Sequence, residues 1–277
     1  MRNLTFIATP GTRSLAREFR SSFMEKTAVW NVMVETCGSA SEASTLFQAT
    51  RCHAFAVSYP FRPLVFNEGK LRGASARLTN GADVLYRGER GDLALSQLAR
   101  SAIDLVERTY LPLYGSSAVV LGSGSAAIDV AYELARAGVS QITLLGNDKE
   151  RTRANLAAFL QAFDAQKTQI IDTDQAQEGH LSAARAFQNA KFLCGTLASA
   201  SYIQQADVVL SVDADISSAS LPLHQGQIVC SLWDRDDLPF SCSARDCRCD
   251  FIGAEEAMRA WGADCAELLV ELSSGGF

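Results

Sequence analysis

Gly122, Gly124 and Ala127 stand two and then three residues apart in the stretch Leu121-Gly-Ser-Gly-Ser-Ala-Ala-Ile128. Glycine at the first two positions allows a tight turn and a close backbone approach to a bound group, and a small third residue lets a helix pack against a strand. The chemistry served by this spacing is the cradling of a dinucleotide pyrophosphate at a helix N-terminus, where unpaired amides and the helix dipole favour an anion. The candidate contacts are Gly122, Ser123, Gly124, Ser125, Ala126 and Ala127. Their surroundings agree. Ala118 to Leu121 is an apolar run fit for a strand buried on both faces, and Ile128, Ala131, Tyr132 and Ala135 then recur at helical spacing up to Gly138. Ile142 to Leu145 completes a strand, helix, strand unit. The competing reading is a tight turn in an α/β protein whose crevice binds nothing.

The end of the second strand bears on which nucleotide such a turn takes. It reads Leu145-Gly-Asn-Asp-Lys-Glu-Arg151. Asp148 suits the ribose hydroxyls of NAD, whereas Lys149, Arg151 and Arg153 suit the 2′-phosphate of NADP, and Asn147 is a further candidate cofactor contact. NADP is the expected cofactor and NAD the alternative. The same charges also suit a solvated first turn of a helix from Lys149 to Phe163.

With 277 residues, 48% apolar and 20% charged, the chain is globular and long enough for one large or two ordinary domains. A net charge of -6 argues against nucleic acid or an anionic membrane as partner. No apolar run reaches bilayer length and the first residues do not read as a signal peptide, so the expected location is the cytoplasm, the oligomeric state being monomer or homodimer. Eight cysteines are then most simply reduced. Cys242, Cys247 and Cys249, with Cys230 and Cys265 nearby, are spaced unlike paired zinc ligands and have no histidine among them, so no metal is expected. Reduced cysteines in a loop and a strand are the expected reading, ahead of both a zinc site and a redox-switchable Cys247/Cys249 pair. His53, His180 and His224 are isolated from one another.

The elements around these residues alternate. Strands are expected at Thr5 to Ala8, Val29 to Val34 and His53 to Ser58, with helices at Ser14 to Phe23 and Ala40 to Arg51. Asn67 to Asp92, rich in Gly and Arg, reads as irregular, and Leu93 to Tyr110 as a helix leading into the second domain. Beyond Phe163 the pattern predicts a short strand at Ile170-Ile171 and, within Leu181 to Ala206, two short helices around Lys191 to Cys194. Buried strands follow at Val208 to Val212, Ile228 to Trp233 and Phe251-Ile252, then a helix from Ala254 to Leu272. The fold class is α/β with two domains: an N-terminal α/β substrate domain, residues 1–97 joined by the C-terminal helix 254–277, and a Rossmann-like dinucleotide-binding domain, residues 98–253.

Val57-Ser-Tyr-Pro-Phe-Arg62 falls about 60 positions ahead of the glycine turn, where shikimate dehydrogenases carry Val-Thr-x-Pro-x-Lys. Gly88-Glu-Arg-Gly-Asp92 stands where that family has Gly-x-Asn-Thr-Asp, and Thr9-Pro10 followed by Ser14 is similar to its Asn-Pro and paired-serine loop. The layout resembles that family along most of the chain. The resemblance implies a small substrate domain, a Rossmann-like domain and a returning C-terminal helix. It also implies hydride exchange between NADP or NAD and an alcohol on a small anionic, carboxylated and cyclic substrate. Ser14, Ser58, Arg62 and Arg90 become the substrate contacts, and Asp92, Arg62 and Tyr59 the catalytic group. The departures are specific. The family lysine falls on Arg62, which stays protonated and cannot act as a general base. The second serine falls on Ala16, the asparagine on Arg90, and the late glutamine has no counterpart, Met258 lying nearest. The substrate implied is therefore not shikimate.

Overall fold

The computed structural model describes residues 1–110, 112–171, 190–197, 199–212, 221–233 and 239–275. It divides into two compact units, residues 1–102 with 254–277, and residues 103–253.

The first unit opens with β1 (Arg2–Ala8), α1 (Arg13–Lys26), β2 (Trp30–Thr36), α2 (Ala40–Ala49) and β3 (Ala54–Val57). β1 pairs in parallel with β2 and with β3, and Leu4, Phe6, Ile7, Trp30, Val32 and Ala54 to Val57 supply buried apolar side chains. Next come α3 (Arg62–Glu68), β4 (Leu71–Arg72), α4 (Ala74–Thr79), β5 (Val84–Gly88) and β6 (Gly91–Leu95), giving a six-stranded sheet in the order β2-β1-β3-β5-β6-β4, and then α5 (Leu98–Thr109), whose residues up to Ala102 belong to this unit. The segment expected to be irregular is thus largely ordered. Ala76, Leu78, Ala82, Val84, Leu85 and Tyr86 are buried, and Gly69 and Gly73 mark contact with β6 rather than a loop. A Cβ at Gly69 would run into the side chain of Ala94, and one at Gly73 would lie 2.9 Å from Leu95. Leu93 to Leu95, expected to begin a helix, instead pair antiparallel with β5; the helix starts at Leu98.

The last helix, α10 (Ala254–Ser274), belongs to this unit and lies on α1. Trp261 meets Phe19 at 4.7 Å and Phe6 at 5.5 Å between ring centroids, and all three rings are fully buried. Gly262 permits the approach, because a Cβ there would collide with the backbone carbonyl of Phe19. Arg259 pairs with Glu18 at 2.8 Å and Lys26 with Glu267 at 3.3 Å along the exposed rim.

The second unit contains β7 (Ser117–Leu121), α6 (Ser125–Arg136), β8 (Gln141–Gly146), α7 (Lys149–Ile171), β9 (Lys191–Thr196), α8 (Ala200–Gln205), β10 (Val208–Ser211), β11 (Ile228–Ser231), α9 (Pro239–Asp246) and β12 (Asp250–Ile252). Its sheet is parallel throughout, in the order β12-β11-β10-β7-β8-β9. That is the doubly wound order with β7 first and the direction reversing between β7 and β10. Ile170 and Ile171 end α7 and form no strand, while Lys191 to Thr196 is an edge strand beside β8. Of the two short helices expected there, the second is α8; the first, and His180, lie outside the described residues. Cys242 sits on α9, not in a loop. That helix starts at a proline and turns Phe240 and Ala244 inward, too short a stripe to read as periodicity.

Gly262→Val is expected to lower stability by about 1–3 kcal/mol, the usual cost of forcing methyls into a packed contact, read as a fall in the denaturant midpoint.

Candidate functional site

In the second unit the glycine turn joins β7 to α6. Gly122 has φ +150°, a conformation that suits glycine, and its amide donates to the Leu145 carbonyl at 2.9 Å, binding the turn to β8. Gly124 is extended, with φ -85° and ψ -173°, and is the N-cap of α6. Ser125, Ala126 and Ala127 form the first turn, whose amides precede any intrahelical acceptor except where Ala127 reaches back to Gly124. No acidic residue lies in that turn. A small, amide-rich helix start without a carboxylate fits a pyrophosphate.

α7 braces this turn from the side. The Asn155 amide donates to the Ser123 carbonyl at 2.6 Å, and Gly146 lets the two segments close, since a Cβ there would meet Thr152 and come within 2.9 Å of Ser123. Asn147, Asp148 and Arg151 are exposed at the end of β8. The Asp148 carboxylate accepts the Arg151 amide at 3.0 Å, and its carbonyl accepts the Thr152 hydroxyl at 2.7 Å. Asp148 is therefore the N-cap of α7. The sequence motif located the glycines, but the role of Asn155 and Gly146 depends on a contact that no spacing announces.

In the first unit Arg62 opens α3 immediately after the cis Tyr59–Pro60 peptide and Phe61. It is 1% exposed, and its partner is Asp83, which is 0% exposed. One guanidinium nitrogen of Arg62 donates to Asp83 Oδ2 at 2.5 Å and the other to the Ser96 hydroxyl at 2.9 Å. Asp83 Oδ1 accepts the Gln97 amide at 2.8 Å, and Oδ2 accepts the Leu98 amide at 3.3 Å. The carboxylate thus caps the start of α5 while holding the arginine. Every contact is to the charged form, and the arginine offers no base.

The expected companions of Arg62 lie elsewhere. Asp83 borders the C-terminal end of β3, where its carbonyl accepts the Val57 amide, whereas Arg87 donates to the His53 carbonyl at the other end of that strand. Asp92 is paired across the sheet with Arg87, and Arg90 is exposed in the hairpin turn next to it. Asp92 is four residues before Ser96 on an extended strand, roughly 13 Å along it. The antiparallel register of β5 and β6 carries Arg90 and Asp92 away from Ser58, Tyr59 and Arg62. Asp92 is not the carboxylate that meets Arg62, and Arg90 does not join it.

The loop after β1 is also closed on itself. The Thr9 amide donates to the Thr12 hydroxyl at 3.0 Å and to the Ser58 hydroxyl at 3.2 Å, and the hydroxyls of Thr9 and Thr12 are 3.0 Å apart. Ser58 in turn donates to the Ile7 carbonyl at 3.3 Å. Ser14 is exposed near the start of α1, Ala16 is buried in the core, and Tyr59 is half-buried. Sequence reading missed Asp83, Ser96 and Thr12. The one available signal was an aspartate placed directly before the apolar strand Val84 to Tyr86.

No protein-family model matches the sequence, and no curated protein does. Solved structures do match. Shikimate dehydrogenase from Mycobacterium tuberculosis superposes at TM-score 0.71 over 99% of this chain and 94% of its own, at 16% identity. The chain has the shikimate dehydrogenase fold. Shikimate 5-dehydrogenase from Listeria monocytogenes, solved in complex with shikimate and NAD, superposes at TM-score 0.70, with 14% identity, covering 100% of this chain and 96% of that one. The same fold is present in 5-ketofructose reductase of Gluconobacter sp. strain CHM43, at TM-score 0.67 and 16% identity over 97% and 92% of the two chains.

Removing one member of the buried pair is expected to cost about 3–5 kcal/mol, because the other charge is stranded. Asp83→Asn should therefore be strongly destabilising, and the double variant Arg62→Met/Asp83→Asn less so than Asp83→Asn alone, a sign of coupling that a denaturation double-mutant cycle reads directly.

Proposed function

We propose that the protein is an NAD(P)-dependent oxidoreductase of the shikimate dehydrogenase type, acting on a small carboxylated hydroxy or keto compound other than shikimate. The observation that carries the reading is the glycine turn: an acid-free helix start behind Gly122 and Gly124, at the switch point of a doubly wound sheet. Gly122 to Ala127 hold the pyrophosphate. Asn147, Lys149, Arg151 and Arg153 surround the adenosine ribose, and Asp148, engaged as a helix cap, is drawn away from the ribose hydroxyls that would select NAD. NADP is thus the preferred cofactor, and NAD the alternative. The nicotinamide supplies the exchange of a hydride with a carbon of the substrate. Tyr59 has the acid–base capacity in the segment following β3, and its half-buried phenol handles the hydroxyl proton with water. Arg62 and Asp83 position that segment and leave the proton to others.

One observation favours a second reading. Arg62, which stands where the family places its catalytic lysine, is engaged by Asp83 and Ser96. A cleft of that kind suits a ligand-binding or accessory protein, or non-redox chemistry, on the same fold.

Calorimetric titration with NADP, NADPH, NAD and NADH is expected to give about micromolar binding that Gly124→Trp abolishes; a flat titration with all four would overturn the cofactor assignment. Arg62→Lys is expected to yield no shikimate oxidation, because the new ammonium would still face Asp83. Formation of reduced nicotinamide from shikimate by that variant would show instead that a single residue separates this cleft from a shikimate site.

A further inference from the structure

The three cysteines late in the second unit are not equivalent once placed on the fold. Cys242 is on α9, while Cys247 and Cys249 flank Arg248 in the turn from α9 to β12. The Cys249 amide donates to the Ala244 carbonyl at 2.9 Å and the Arg248 amide to the Arg245 carbonyl at 2.9 Å. Arg248 has φ +56°, the left-handed residue of a Schellman helix ending, a position usually held by glycine. Helical geometry of the opposite hand at Arg248 fixes its two neighbours about 5.4 Å apart at Cα. Disulfides span about 4.4–6.8 Å between Cα atoms. Both cysteines are partly exposed, and neither is bridged in this structure. The Cys249 thiol donates to the His224 carbonyl at 3.3 Å. Burial first, then the neighbouring Cys247 and Asp250, pushes its pKa up to about 11.

We propose that Cys247 and Cys249 are a thiol-oxidation site that closes reversibly into an intrachain disulfide across Arg248. The co-reactant is a low-molecular-weight disulfide such as oxidised glutathione. The Cys247 sulfur attacks one of its sulfurs and expels one glutathione thiolate; the Cys249 sulfur then displaces the second glutathione from the mixed disulfide. Two protein thiols lose two protons and two electrons, one S–S bond forms, and one glutathione disulfide becomes two glutathiones. Cys242 is excluded by distance: five residues along a helix put its Cα about 8.6 Å from that of Cys247, beyond the reach of a disulfide. Cys230 and Cys265 are fully buried.

The sequence supplies its own assay, because trypsin cuts after Arg245 and Arg248. Native protein treated with oxidised glutathione, quenched in acid, alkylated and digested without reduction should yield the peptide Asp246–Arg248 joined to Cys249–Arg259. Its intact mass should fall by about 2 Da, the loss of two hydrogens. Cys247→Ser should abolish both signals and leave a glutathione adduct on Cys249. Alkylation of both cysteines, independent glutathione adducts on each, or a bridge mapped to Cys242 would overturn the proposal.

Discussion

Much of the first unit hangs on one buried ion pair. Arg62 and Asp83 are taken almost wholly out of water, and a buried pair is poor value as a source of stability when apolar side chains of similar size would pack as well. What it provides is definition. Asp83 must lie where it can receive two amides at the head of α5 and a guanidinium from the head of α3, so three chain segments are fixed by one carboxylate. Ser96 fills the remaining corner by accepting from Arg62 while lying against the same oxygen. A lysine at position 62 would bring one nitrogen in place of two. The planar fork of arginine makes the arrangement a bridge between Asp83 and Ser96.

The second unit depends on the opposite device, the absence of side chains. Gly122 turns the chain, Gly124 caps α6, and Gly146 lets α7 close against Ser123. The glycine turn thereby becomes rigid on two sides, through the Leu145 carbonyl and through Asn155. A cradle for an anion needs its amides held in place before the anion arrives, and these contacts hold them.

The parts legible in the sequence were those with a period or a spacing. β7, α6 and β8 were read from an apolar run, a helical stripe and a second apolar run, and the layout of two α/β domains with a returning helix followed from the same patterns and from the family likeness. The hairpin of β5 and β6 was not legible. Its glycines look like loop residues until Ala94 and Leu95 are seen against Gly69 and Gly73. That misreading displaced the carboxylate assignment, because a motif matched along the chain put Asp92 beside Arg62, whereas antiparallel register sets Asp83 there. Register is a property of two strands at once, and a single sequence records only one at a time. Asp148 is a related case. Its charge was evident, but its use as a helix cap was settled by the amide of Arg151.

The first unit is built from both ends of the chain, with all of the second unit emerging between them. During synthesis, β1 and α1 leave the ribosome long before Trp261, and until that ring arrives Phe6 and Phe19 lack the partner that completes their cluster. The parallel sheet of the second unit, by contrast, has all its strands by Ile252. The order of maturation is therefore inverted relative to the order of translation: the later-starting unit can finish first, while the earlier one waits with an apolar face uncovered for about 150 further residues.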